Sequence, residues 1–285
     1  MKGRKPDFLI IGAMKCGTTS LHDYLGKHPE IFTTTPKEIH FFTENKFDED
    51  KIEEYYINFK SEKKIVGTSP QNYTKYHKPE FSGVAARLKH YLPNVKLIYL
   101  VRDPLKRIVS HYNESQESGS SPSVGLNETL FRDNNHHYIR TSEYYNQLSQ
   151  YLPYFKKSQI LILSLEDLQS NRLQVLNKVF NFLGVEELDN FSLFDYSLNK
   201  SGDKRRNSMF WSFIYGFYQY LPTAFKQLKL LQGIKKNKFL NKLTKTHIKK
   251  EELSEDAVNM LTKRLHSDAN KLREWAGESF EEWTV

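Results

Sequence analysis

The chain has 285 residues, of which 38% are hydrophobic and 14% aromatic, with 42 Lys+Arg against 34 Asp+Glu. That apolar share supports a sizeable core, as one large domain or a domain with an appendage, and excludes disorder as the default state. The formal net charge of +8 favours an anionic partner (nucleotide phosphate, nucleic acid, acidic lipid or acidic glycan) without choosing among them.

In chain order, short apolar runs occur at 8–13, 64–67, 95–101 and 159–163, with helically spaced stretches between them. This alternation predicts an α/β domain built on a central, mainly parallel sheet flanked by helices. The first run is too short to span a bilayer and leads into a Gly-containing loop, so it reads as a buried strand and not as a signal segment. After it, Leu21, Tyr24 and Leu25 share one helix face. After the third, Asp103 is placed to cap a helix, Pro104 to occupy its first position, and Leu105, Ile108, Val109 and Tyr112 to form its apolar stripe. Residues 119–135 are rich in Ser and Asn and contain Pro122 and Gly125, which predicts an exposed, mobile loop. Helical spacing returns over 166–183 and runs from Met209 to the end. Its 206–250 portion is basic and aromatic, the segment expected on the acceptor side.

Cys16 is the single cysteine, which excludes an internal disulfide framework and a cysteine-based zinc site and makes the cytoplasm the expected compartment. The ten histidines show no metal-ligand spacing, and His136-His137 fall in the expected loop, so no metal is expected.

The segment Ile10-Ile11-Gly12-Ala13-Met14-Lys15-Cys16-Gly17-Thr18-Thr19-Ser20-Leu21 combines a strand, a tight loop and a hydroxyl-rich helix start. Backbone amides and the positive end of a helix dipole then face an anion, so a phosphate site is the physical expectation. It is not a Walker A loop, because Thr18 follows Gly17 where the Lys-Ser/Thr pair would stand; the lysine is inside the loop, at Lys15. An ammonium there is suited to a phosphosulfate bridge, where it stabilises a leaving group without metal.

Here the chain resembles the PAPS-dependent sulfotransferases, whose loop for the donor's 5′-phosphosulfate is similar to Lys15-x-Gly17-Thr18-Thr19-Ser20-Leu21. Leu97 to Pro104, with Ser110 eight residues after Arg102, is similar to the family's second signature, in which the Arg and Ser hold the donor's 3′-phosphate. The segment 199–206, with Gly202, Lys204 and Arg205, resembles the later loop that closes over the donor. Segments at 165–168, 182–185 and 272–283 look like the family's helices, so the resemblance covers nearly the whole chain. It implies a P-loop-containing nucleoside triphosphate hydrolase-like fold over a single domain, PAPS as donor with PAP as product, and contacts from Lys15, Cys16, Gly17, Thr18, Thr19, Ser20, Arg102, Ser110, Gly202, Lys204 and Arg205.

Sulfuryl transfer to a hydroxyl needs a base. Pro36-Lys37-Glu38-Ile39-His40-Phe41-Phe42 is similar to a motif of the carbohydrate and glycosaminoglycan branch in which the Glu is the proposed base. In an extended segment Glu38 and His40 project to the same side, so the imidazole either orients the carboxylate or is itself the base; Glu38 is preferred. Phe41 and Phe42 are expected to pack. The chain departs from its relatives at Gly67, where many carbohydrate-type members carry a lysine. Lys204 is the expected compensation, and Thr68 and Ser69 are candidate hydroxyl donors.

Two rivals remain. A P-loop nucleotide or small-molecule kinase is the nearer, although the nearest match to a strand-end Mg²⁺ aspartate is Asp103. A nucleic-acid or membrane-surface binder is motivated by net charge and by Trp211 and Phe213 among basic residues. The preferred acceptor is a carbohydrate or small metabolite, with no nucleic-acid partner and peripheral membrane contact left open.

Overall fold

The structure, a computed structural model, describes residues 3–189, 206 and 207, 245 and 246, and 250–285, with the backbone alone described at 206, 207, 245 and 246. Five strands form one parallel sheet: β1 (Phe8–Gly12), β2 (Ile31–Thr33), β3 (Ile65–Thr68), β4 (Lys96–Val101) and β5 (Ile160–Ser164), in the order β2-β3-β1-β4-β5. Register is set by pairs such as Phe8 with Gly67, Leu9 with Leu97 and Ile98 with Leu161. A parallel sheet covered on both faces has no polar side, which is why β1 and β4 read as unbroken apolar runs. All five residues of β1 are buried, as are Leu97 to Val101.

The expected strands at 8–13, 64–67, 95–101 and 159–163 correspond to β1, β3, β4 and β5. Strand β2 was not anticipated. It is three residues long, too short to carry a period, and exists by pairing with β3. The chain passes from β1 to β2 on one side of the sheet and from β3 across β1 to β4 on the other, so order reverses around β1. In open α/β sheets ligands bind at such a switch point, beyond the C-terminal strand ends.

Helix α1 (Thr18–Lys27) buries Leu21, Tyr24 and Leu25, as expected. Two short helices, α2 (Ile52–Ile57) and α3 (Val84–Tyr91), come before β4. Helix α4 (Pro104–Ser118) starts at Asp103, whose Oδ1 accepts from the Lys106 amide at 2.8 Å, and buries Leu105, Ile108 and Tyr112. The helical stretch 166–183 is two helices, α8 (Leu165–Ser170) and α9 (Arg172–Leu183), broken at Asn171.

Residues 119–135 are not a plain loop: they contain α5 (Leu126–Arg132), followed by α6 (His137–Arg140) and α7 (Tyr144–Leu148). The Glu251 carboxylate accepts from the Leu126 amide at 2.5 Å, and Tyr112 donates to the Val124 carbonyl at 3.1 Å. These partners are remote in sequence, so local composition could not reveal them. The final helix α10 (Glu255–Ala276) packs on α4, α5 and α7, and its Asp268 accepts from the Tyr145 and Asn146 amides at 3.0 and 2.9 Å.

The 206–250 segment is not uniformly helical, since Arg206–Asn207 (β6) pairs antiparallel with Lys245–Thr246 (β7). A two-residue pairing leaves no periodicity to read. The rest of that expectation, with Trp211 and Phe213, lies outside the described residues, as do Gly202, Lys204 and Arg205. Among the described residues, no helix is long and apolar enough to cross a membrane.

Candidate active site

The loop between β1 and α1 has the backbone its residues call for. Gly17 precedes α1 at φ 89° with no side-chain cap, and a Cβ added there would meet Leu165 Cδ1 at 2.6 Å, so both conformation and space demand glycine. Lys15 also sits at positive φ, 70°, a conformation that is costly for a side-chain-bearing residue and that points to a working loop. Among the described residues the amides of Gly17, Thr18, Thr19 and Ser20 have no acceptor. Four open donors at a helix N-terminus fit an anionic phosphate or sulfate group.

Lys15 is not free: its Nζ lies 2.9 Å from Glu114 Oε1 on α4. Cys16 is fully buried with Sγ 3.5 Å from the Tyr144 hydroxyl, and burial pushes its thiol up to about 11. It stays a neutral thiol at physiological pH, so any donor contact from Cys16 comes from its backbone.

Glu38 and His40 do project to the same side. Glu38 Oε2 accepts from His40 Nε2 at 3.1 Å, while Glu38 Oε1 lies 2.8 Å from Lys37 Nζ and accepts from Gln71 Nε2 at 2.6 Å. Burial alone would raise the Glu38 pKa, but the His40 and Lys37 contacts outweigh it and hold the carboxyl below its ordinary value. Glu38 is therefore a carboxylate at neutral pH. Phe42 is fully buried and meets Tyr55 edge-on at 5.1 Å, the packing role expected of it.

Arg102 directly follows β4 and Ser110 lies about two turns into α4. Among the described residues neither side chain has a hydrogen-bond or ion-pair partner, so the alternative of an internal salt bridge for Arg102 finds no support there. The kinase reading needs Asp103 free for Mg²⁺. Its Oδ1 caps α4 and its Oδ2 accepts from the Thr284 amide and hydroxyl at 2.6 and 2.8 Å, so both oxygens are committed to structure.

The structure bears on two further readings. First, Gly67 is not a vacancy for a lysine, because a Cβ there would run into the Phe8 ring, inside the core. Second, Thr68 and Ser69 are not spare hydroxyl donors. Thr68 donates to the Lys37 carbonyl at 2.8 Å and accepts from Thr34 at 2.7 Å, which anchors the segment carrying Glu38. The Ser69 hydroxyl pairs with His22 Nδ1 at 2.7 Å, and His22 Nε2 donates to the Thr34 carbonyl at 3.1 Å. A carbonyl only accepts, so Nε2 carries the proton and Nδ1 accepts from Ser69. Burial drops the His22 pKa to about 4, consistent with this neutral tautomer.

Sequence reasoning missed Gln71, Lys75 and Arg107. Gln71 touches both Glu38 and Thr18, whose hydroxyl donates to Gln71 Oε1 at 3.0 Å. Arg107 is fully buried, donating to Ser142 Oγ at 2.6 Å, to His111 Nδ1 at 3.2 Å and to the Tyr138 carbonyl. The turn carrying Gln71 and Lys75 has no periodicity, and Arg107 resembles any charged residue on an amphipathic helix. No signal in the chain marks them apart from proximity to the Ser69-Pro70 pair.

Fold and site together define an α/β protein in which a loop with open amides at a helix N-terminus lies near a partly exposed carboxylate, Glu38. The sulfotransferase domain model matches residues 5–209, and the chain belongs to that family. It is similar to the bifunctional heparan sulfate N-deacetylase/N-sulfotransferase of Drosophila melanogaster, 24% identical over 216 residues, covering 66% of this chain and 20% of that protein. It is also similar to carbohydrate sulfotransferase 15 of Mus musculus, 28% identical over 251 residues, covering 64% of this chain and 44% of that protein. The chain thus spans less than half the length of these two curated relatives. A solved sulfotransferase from Alicyclobacillus acidocaldarius shares the fold, with a TM-score of 0.65 at 21% identity, over 99% of this chain and 100% of that one.

Proposed function

We propose that the chain transfers the sulfuryl group of PAPS to a hydroxyl or amine of a carbohydrate or small-metabolite acceptor. The observation that carries this reading is the pairing of four open amides at the α1 N-terminus with a charged carboxylate, Glu38, joined to that same helix start through Gln71. The amides and Lys15 suit the 5′-phosphosulfate, and Arg102 with Ser110 suits the 3′-phosphate, where a guanidinium fork and a hydroxyl match phosphate oxygens. Gly202, Lys204 and Arg205 would complete the donor site from outside the described residues.

In the step itself the acceptor oxygen or nitrogen bonds to sulfur as the sulfur's bond to the bridging oxygen breaks. The electron pair stays on the 5′-phosphate of adenosine 3′,5′-bisphosphate, the leaving group. Glu38 takes the acceptor's proton, His40 and Gln71 hold its carboxylate in place, and Lys15 exchanges Glu114 for the charge developing on the leaving phosphate. The carbohydrate class of acceptor is supported by the names of the curated relatives, and a cytoplasmic setting by the lone, buried cysteine.

The test combines calorimetry with adenosine 3′,5′-bisphosphate and a labelled-PAPS screen of sugar, phenol, alcohol and amine acceptors. Binding in the micromolar range and labelling of a sugar hydroxyl or amine are expected, and Lys15→Ala should lower turnover by about 10²- to 10³-fold. Absence of nucleotide binding, or full turnover in Lys15→Ala, rejects the reading.

A further inference from the structure

Lys75 follows β3 in the turn that also carries Gln71. Its Nζ lies 3.0 Å from the Sδ of Met14, the residue just before Lys15 in the phosphate loop. A thioether is a weak acceptor. Among the described residues Lys75 has no carboxylate at ion-pair distance, whereas Lys15 is held by Glu114 and Lys37 by Glu38. Another nearby cation, Arg107, makes its hydrogen bonds inside the fold. Lys75 is thus a half-buried ammonium resting on sulfur, with Glu114 and Glu38 the carboxylates whose charges reach it. Burial, with the nearby Arg107 and Lys78 charges, brings its pKa down to about 8, which still leaves it mostly protonated at neutral pH. Such a charge is poorly compensated until an anion arrives beside it. Met14, the residue that Lys75 touches, belongs to the loop that leads into α1, where four amides also lack acceptors.

We propose that Lys75 is a donor-contacting residue whose ammonium leaves the Met14 sulfur to bind an anionic oxygen of the donor's 5′-phosphosulfate, sharing with Lys15 the charge that grows as the bond to sulfur breaks. This rests on the PAPS reading above. A purely structural lysine would instead support the turn, and the two roles separate in what Lys75→Met does to different nucleotides and to the melting temperature.

The experiment is calorimetry on wild type, Lys75→Met and Lys75→Arg with PAPS and with adenosine 3′-monophosphate, which lacks the 5′ group, alongside thermal melting. Lys75→Met should weaken PAPS binding by about 10- to 100-fold, the loss expected for a hydrogen bond to a charged group. It should leave adenosine 3′-monophosphate binding and the melting temperature unchanged or higher, and Lys75→Arg should recover most of the PAPS affinity. Unchanged PAPS binding in Lys75→Met, or equal weakening of both nucleotides with a lowered melting temperature, overturns the assignment. If wild type binds neither nucleotide, the donor reading falls and this one with it. If wild type binds both and Lys75→Met matches it, only the role of Lys75 falls.

Discussion

Gln71 donates to Glu38 across 2.6 Å and, through its other end, accepts the Thr18 hydroxyl at 3.0 Å. One uncharged side chain therefore ties Glu38, the proposed base, to Thr18, the first residue of α1, whose open amides form the proposed donor site.

Gln71→Leu keeps the volume and removes both hydrogen bonds. It should lower kcat by about tenfold while leaving the affinity for adenosine 3′,5′-bisphosphate within about twofold, because a positioning contact is lost and no donor contact is. An equal loss in donor affinity would place Gln71 on the donor instead.

The pH profile distinguishes the two candidate bases. Glu38 is held below the ordinary glutamate range, so its active carboxylate form persists as pH falls through 6 and is lost only below that range. Wild-type kcat/KM should therefore show no acidic limb near 6.5, and Glu38→Gln should lower kcat by about 10²- to 10⁴-fold. Turnover that survives in Glu38→Gln but is lost in His40→Gln would transfer the role to His40.

Gly67 tests whether the core tolerates a side chain at this position of β3. Gly67→Ala drives a Cβ into the Phe8 ring and should destabilise the fold by about 1–3 kcal/mol, the usual range for overpacking, measured by denaturant unfolding. Gly67→Lys should be worse still and should not raise donor affinity. A neutral Gly67→Ala would mean that β1 and β3 pack less tightly than described.

His22 makes stability pH-dependent. Its folded pKa, about 4, lies below the ordinary value, so between about 6.5 and 4 the unfolded chain binds a proton that the folded chain refuses. Stability is complete above about 6.5 and declines as pH falls toward 4, by roughly 3 kcal/mol for this residue alone. His77 and His137, lowered by burial to about 4 and about 3, act in the same direction. Unfolding curves at pH 7.0 and 4.5 should show the loss, and His22→Gln should reduce it. Equal loss in the variant would assign it elsewhere.

Cys16 should be inert. A buried thiol pushed up to about 11 carries almost no thiolate at pH 7.5, so a disulfide reagent should label it only after unfolding, and Cys16→Ser should keep turnover within about threefold. Rapid labelling of the folded protein with loss of activity would show that the loop opens.

How much was readable from residues alone follows from the range of each interaction. The strand at 8–12, the glycine at 17 and the capped start of α4 at Asp103 depend on neighbours within a few positions, and they were legible. Strand β2 and helix α5 were not, because one exists through pairing with β3 and the other through Glu251, 125 positions from the Leu126 amide it accepts. Glu38 and His40 were visible as a two-residue spacing, whereas Gln71 gained meaning only when β3 set its turn beside α1.

The amino-acid order by itself determined the candidate phosphate loop, the parallel sheet and the pair of candidate bases, since backbone conformation, hydrophobic period and side-chain alternation are local. Tertiary structure alone decided which charges are spoken for. It matched Lys15 with Glu114 across 99 positions and left Lys75 against a sulfur. Coulomb energy depends on distance through space and on burial, and neither quantity is written along a chain until it has folded.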